Sequence, residues 1–415
     1  MIRYGGGVID IADIEAARVR IRDAIYCSPC PASETLGELT HTRCHVKLEN
    51  LQMTGSFKER GALAKLSTLD VEERRRGVIT ASAGNHGLAL AFHARRLGVA
   101  ATIVMPEWAP LIKVAQCRHQ GAAVVLAGQD YDEAYAEARR REAGTGAVFV
   151  HPFDDPVVIA GQGTLGLEVL EQVPDLDAVI VPVGGGGLIG GVALAVKTRA
   201  SHVAVIGVQA TALPGMRHAL DRGEPVMLGP APTIADGIAV RRVGALTYEL
   251  CRRYVDELVV VDEGEIANAI LRLLEIEKTV VEGAAATTLA ALLNKKVALS
   301  GKRVVLVLSG GNIDVNIIER VIEKGLVKDG RLVRLAILLV DRPGALARLT
   351  ALVADHSANI LEIGHNRAFS PARIGETEVV LTLETSGREQ IEAVVHGLRA
   401  AGYEVQELGE GRKTP

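Results

Sequence analysis

From about residue 46 to residue 321, short runs rich in Val, Ile and Ala alternate with longer stretches whose apolar residues recur at helical spacing. Strands are expected at residues 40–49, 78–80, 101–105, 122–126, 147–150, 178–183, 203–209, 258–261 and 304–308. Between them, residues 86–97, 131–143 and 157–172 have the period of amphipathic helices. That rhythm fits a mostly parallel sheet covered by helices on both faces, an α/β fold. The pattern breaks at KGLVKDGR, residues 324–331, where glycine and charge interrupt it. Beyond the break, strand (332–340), helix (345–356), strands (359–368 and 376–384), helix (388–401) and a strand from 403 spell a ferredoxin-like βαββαβ unit. Two domains follow, residues 1–326 and 331–415.

Composition narrows the function classes. The 415 residues are 48% hydrophobic and 23% charged, enough for two or three cores. Aromatics make up only 3%, while 44 glycines suit close packing and backbone that approaches a ligand. The net charge of -4 comes from mixed acids and bases, without the basic block that a nucleic acid or lipid surface needs. The N-terminus has no signal-peptide core and no stretch reaches about 20 apolar residues, so a cytoplasmic protein is expected. Five cysteines are read as reduced thiols. Cys27, Cys30, His41, Cys44 and His45 are all zinc-ligand types, but a strand through residues 40–49 would turn them to opposite faces. No metal is expected there.

Four short segments carry chemistry. In TGSFKERGA, Lys58 stands just after a strand and opens a helix, where desolvation and the helix N-terminus disfavour the ammonium. It is either an amine nucleophile or a first-turn surface lysine. In TASAGNHG, Asn85 either caps a helix or belongs to a cradle of amides for a carboxylate. The run VGGGGLIGG joins a strand to a helix and favours a phosphate over a plain turn. It contains GxGxxG, but Gln209 occupies the place of the acid that a dinucleotide ribose requires, so a smaller phosphorylated cofactor is indicated. In LSGGNID, Ser309 is either a helix cap or a hydroxyl at the sheet's ligand-binding edge.

Taken in order with TIADGIAV, these segments resemble the fold-type-II pyridoxal-phosphate enzymes, and among them the threonine ammonia-lyases. The resemblance covers nearly the whole chain. It implies two open, mostly parallel sheets of the tryptophan synthase β type, with a smaller subdomain at about residues 51–151. It implies pyridoxal 5'-phosphate as cofactor, Lys58 as its Schiff-base lysine and Phe57 against its ring. By the same likeness Asn85 bonds the 3'-oxygen, Gly184, Gly185, Gly186, Gly187 and Leu188 hold the phosphate, and Ser309 meets the pyridine nitrogen. Ser82, Ala83, Gly84, Asn85 and His86, with Gly237, are the implied substrate contacts. A hydroxyl at the pyridine nitrogen does little to hold a pyridinium, which favours elimination over transamination.

The last unit resembles an ACT domain through VDRPGAL, residues 340–346. Asp341, Gly344 and Asn359 match effector contacts of such domains, which sense amino acids or serve only to dimerise. A homodimer or homotetramer is therefore expected. Rival functions on the same fold are serine racemase and hydroxyaspartate ammonia-lyase; a sensor with a degenerate catalytic fold is the non-enzyme alternative. The racemase's second-face serine is Ala83 here. Gln209 stands where relatives with a divalent cation have Glu, and Leu213 and Gly215 offer no carboxylate in exchange.

Overall fold

The computed structural model describes residues 2–4, 7–366 and 373–408. Its contacts divide the chain into residues 1–314 and 315–415, and the helix Val315–Lys328 falls in the second unit.

The first unit holds two mainly parallel sheets and a short antiparallel strand pair, Ile2–Tyr4 with Gly7–Ile9. In the larger, the strands run in the order Glu257–Val261, Ala204–Ala210, Ala178–Pro182, Arg303–Leu308, Arg43–Leu48 and Ala32–Ser33. All pairings are parallel except the last. The central strand Ala178–Pro182 is buried along its whole length, as a strand covered on both faces must be. The smaller sheet is wholly parallel, in the order Ala123–Leu126, Ala101–Met105, Val78–Ala81 and Val148–Phe149. Helices Pro156–Gln172 and Gly187–Arg199 cross over the large sheet in close contact. Gly191 permits this, because a Cβ there would stand 2.4 Å from the Ile159 carbonyl oxygen. Among the described residues no helix is long and apolar enough to cross a membrane.

Two local expectations are corrected. Residues 34–40 are helical (Glu34–Thr40), because the Ser33 hydroxyl accepts from Leu36 N and caps a turn; the strand begins only at Arg43. Lys58 does not follow a strand directly either. The strand ends at Leu48, and a 3-10 turn, Glu49–Leu51, with further turns intervenes before the helix Lys58–Leu66.

That intervening stretch is fixed from below by buried charge. Arg60 is 1% exposed and forks its guanidinium onto two carboxylates, Glu49 (2.7 and 2.7 Å) and Glu168 (2.7 and 2.8 Å). Lys47, fully buried, reaches Glu168 at 2.6 Å and also donates to Ser28 O and Gln172. Two cations thus balance two anions in the interior, with most remaining donors satisfied. The network links a strand, a turn and two helices around the segment that carries Lys58.

The second unit is a four-stranded antiparallel sheet in the order Asn359–Asn366, Glu376–Glu384, Leu332–Val340 and Glu404–Glu407, packed by helices Ala345–Asp355 and Arg388–Ala400. This is the ferredoxin-like arrangement. Residues 367 and 368, the expected end of the second strand, lie outside the described residues.

Candidate active site

The parallel strands of both sheets end at one crevice, the usual ligand edge of an open α/β sheet. There the loops enclose a cavity of about 550 Å³, lined by Phe57, Lys58, Ser82 to His86, Gly184 to Leu188, Gly237 and Ser309. Every catalytic, cofactor and substrate position read from the sequence is in this wall.

Lys58 is the first residue of its helix, and its Nζ donates to Pro152 O at 2.8 Å and lies 5.2 Å from the Phe57 ring centroid. Burial pushes its pKa down to about 8, against the opposing pull of Glu282. The surface-lysine alternative fails, and an amine so placed is suited to act as a nucleophile. Opposite, the glycine run rises from the strand Ala178–Pro182 into the helix Gly187–Arg199, whose first amides have no intrahelical acceptor. Gly186 is left-handed (φ 96°). A Cβ on Gly185 would strike the Phe153 ring at 2.4 Å, so the backbone itself forms the surface. Such a bed suits a phosphate.

Ser309 follows the strand Arg303–Leu308 and is 1% exposed. Its carbonyl accepts from Phe57 N at 3.0 Å, which ties the two loops together. Asn85 does not cap its helix, since the N-cap is Gly84. Instead its Nδ2 donates to both oxygens of Glu282 (3.1 and 2.8 Å) and its Oδ1 accepts from Asn312 (2.8 Å). Ser82 accepts from Gly84 N and Gly87 N and shapes the loop.

His86 departs from its expected part. Its Nε2 meets Val150 O at 3.0 Å, burial drives its pKa down to about 3, and Nδ1 has no partner. The neutral ring spends its one proton on that carbonyl, so its side chain has none for a carboxylate. The loop's backbone amides remain for that task.

Glu282 escaped the sequence reading. It precedes the apolar helix Gly283–Leu293, is 3% exposed, and burial raises its pKa to about 7 despite the Asn85 hydrogen bond. The one local signal is an acid set against a helix too apolar to be exposed. Phe153, Asp154, Thr247 and Asn312 escaped as well, because each acts through contacts far away in sequence.

Gln209 is used structurally. It is 1% exposed, donates to Val183 O (3.2 Å) and accepts from Arg217 N (2.9 Å). Among the described residues no three His, Cys, Asp or Glu side chains group to hold a metal. In the second unit the three expected effector contacts do not meet. Asp341 follows Val340, which pairs with Glu376, whereas Asn359 pairs with Glu384, opposite Leu332. Within one copy, at about 3.3 Å per residue, they stand roughly 30 Å apart along the sheet. Gly344 caps the helix Ala345–Asp355 in a left-handed turn near the Asp341 end.

The family model for pyridoxal-phosphate dependent enzymes matches residues 21–310, and that for the ACT domain matches residues 333–400. The chain belongs to the pyridoxal-phosphate dependent enzymes. An L-threonine ammonia-lyase of Thermotoga maritima is 50% identical over 402 residues, 97% of this chain and 100% of that one. Among solved structures, the processed form of threonine deaminase isoform 2 from Solanum lycopersicum shares 34% identity at a TM-score of 0.72, over 78% of this chain and 98% of that one. Serine racemase from Dictyostelium discoideum shares 36% at a TM-score of 0.70, over 74% and 99%. The cavity suits this family's cofactor: a depressed amine stands across from a bed of unpaired amides, with a buried hydroxyl between strand and turn.

Proposed function

We infer that this enzyme converts L-threonine to 2-oxobutanoate and ammonia, and L-serine to pyruvate and ammonia. The observation that carries this reading is the amine of Lys58, held near neutrality across from the glycine loop, in a chain half identical to an L-threonine ammonia-lyase along nearly its full length. When bound, pyridoxal phosphate supplies the electron sink that acidifies the substrate's Cα–H. Gly184 to Leu188 would hold its phosphate, Lys58 would anchor its carbonyl carbon, Ser309 would take its ring nitrogen and Asn85 would face its ring oxygen.

The loop Ser82 to His86 orients the substrate carboxylate by backbone amides, with Gly237 at the cavity rim. Lys58 Nζ, with a pKa of about 8, takes the Cα proton. The β-hydroxyl leaves as water, and a water is regained when the resulting enamine, once tautomerised, is hydrolysed. Threonine therefore yields 2-oxobutanoate and ammonium, with nothing oxidised or reduced overall. Measuring keto-acid release from threonine, serine and hydroxyaspartate tests the substrate; hydroxyaspartate outpacing the other two would overturn it.

Racemisation needs a second acid on the opposite face of Cα, and Ala83 in the cavity wall has no proton to give. Ala83→Ser is expected to raise the ratio of D-serine to pyruvate from L-serine by about tenfold. An unchanged ratio, read by chiral chromatography, removes Ala83 from this role.

The ACT unit is proposed to sense a small amino acid such as isoleucine or valine in a homodimer or homotetramer. Asp341 and Asn359 lie at opposite ends of one sheet, and Asn359 opens its edge strand. Antiparallel pairing of two such edges would carry Asn359 of a second copy toward Asp341 and Gly344. A chain ending at Lys328 should keep basal turnover and lose any effector response. A response that survives truncation would put the sensor in the first unit.

A further inference from the structure

The turn His151 to Asp154 does three things with three consecutive residues. Pro152 O accepts from Lys58 Nζ at 2.8 Å. The Phe153 ring fills the space that a Cβ on Gly185 would need, and its carbonyl lies beneath Gly187. Asp154 accepts from the amides of Ala245, Leu246 and Thr247 at 3.0–3.1 Å, opening the helix Ala245–Tyr254. From that helix the Thr247 hydroxyl donates back to Gly185 O at 2.6 Å. A shift of this turn would move the amine, the glycine loop and its support together.

What sets the turn is one ring atom. His151 Nδ1 accepts from Phe153 N at 3.2 Å and Asp154 N at 2.8 Å. The ring is held edge to face by Phe153 (4.6 Å), Tyr135 (6.0 Å) and Phe149 (6.2 Å). We propose that His151 is a positioning residue whose unprotonated Nδ1 ties this turn into the shape that serves Lys58 and the glycine loop at once.

The surroundings keep that nitrogen bare. Burial opposes an imidazolium most strongly, Lys58 and Arg139 add to it, Asp155 alone favours the charge, and the pKa falls to about 4. His86, neutral, and the Tyr135 phenol complete the neighbours. Near neutral pH the ring therefore carries its proton on Nε2, and Nδ1 accepts.

The inference rests on Lys58 and the glycine loop being the cofactor site, and the test separates the two. Apo-protein is dialysed against pyridoxal phosphate, and kcat and KM for threonine are measured. His151→Leu removes the acceptor and leaves two amides unpaired, so cofactor affinity and kcat should each fall about tenfold. His151→Asn puts an Oδ1 where Nδ1 lies, and both values should stay within about threefold of wild type. In protein labelled with ¹⁵N histidine, the signal missing from His151→Asn should be of the unprotonated, hydrogen-bonded kind and steady from about pH 5.5 to 8. Leu matching wild type, Asn failing as fully as Leu, or a protonated Nδ1 would each overturn the proposal. If Leu does not fold, Asn and the nitrogen signal decide. Wild type that fails to bind pyridoxal phosphate would sink the site assignment itself, whereas normal binding with an indifferent His151→Leu removes only this inference.

Discussion

Replacing Lys58 by alanine lowers turnover of L-threonine by about three orders of magnitude or more, while the fold survives. Two losses combine in one atom. In the proposed role Nζ both anchors the cofactor and moves the Cα proton, and a positioned acid/base alone contributes roughly 10²–10⁴ in rate. No other lysine stands in for it: Lys113, also in the cavity wall, is engaged with Asn312 O at 3.1 Å. The structural cost is small, because Nζ makes a single hydrogen bond, to Pro152 O. Release of 2-oxobutanoate and retention of cofactor through dialysis measure the two losses separately. Residual turnover within tenfold of wild type would refute the assignment.

Arg60→Met destabilises the first unit by about 3–5 kcal/mol, measured as a shift of its urea transition at pH 7. Methionine fills much of the volume but leaves Glu49 and Glu168 facing Lys47 alone, one buried negative charge too many. Arg60→Lys does little better, since an ammonium cannot fork onto both carboxylates. The pH dependence has a definite sign. Burial by itself would raise the pKa of Glu49, but the charge and hydrogen bonds of Arg60, with Lys47, outweigh it and hold the carboxyl below 4.5. Its contribution to stability is therefore present above the unfolded carboxyl's pKa and lost as pH falls through that range and below. A change of less than about 1 kcal/mol in Arg60→Met would show that the network relaxes around the gap.

The sequence showed the parts of the site that are local. Asn85, Gly184 to Leu188 and Ser309 each lie in a short segment whose residue types suit the end of a strand at the ligand edge, and Lys58 opens a helix after intervening turns. The partners of those residues were hidden, because Glu282 meets Asn85 across 197 positions of chain. No periodicity carries such a contact. His86 lies in the loop as expected, and what the sequence did not show is that its side-chain proton goes to Val150 O, which leaves the loop's backbone amides to meet a carboxylate. The ACT effector set is hidden for a related reason: the order Asp341, Gly344, Asn359 is clear in the chain, but only the strand register shows that within one copy it spans a sheet.

The large sheet sets the order of events during synthesis. Arg43–Leu48 and Arg303–Leu308 are adjacent strands, yet residue 43 pairs with residue 303. At roughly 5–20 residues per second, about 260 residues of translation, or some 10–50 s, separate the two halves of that pairing. The small sheet, with its four strands confined to Val78–Phe149, closes long before. Lys58 follows the first of the two paired strands and Ser309 follows the second. The walls of the cavity therefore cannot be complete until Arg303–Leu308 has been made and laid between Arg43–Leu48 and Ala178–Pro182.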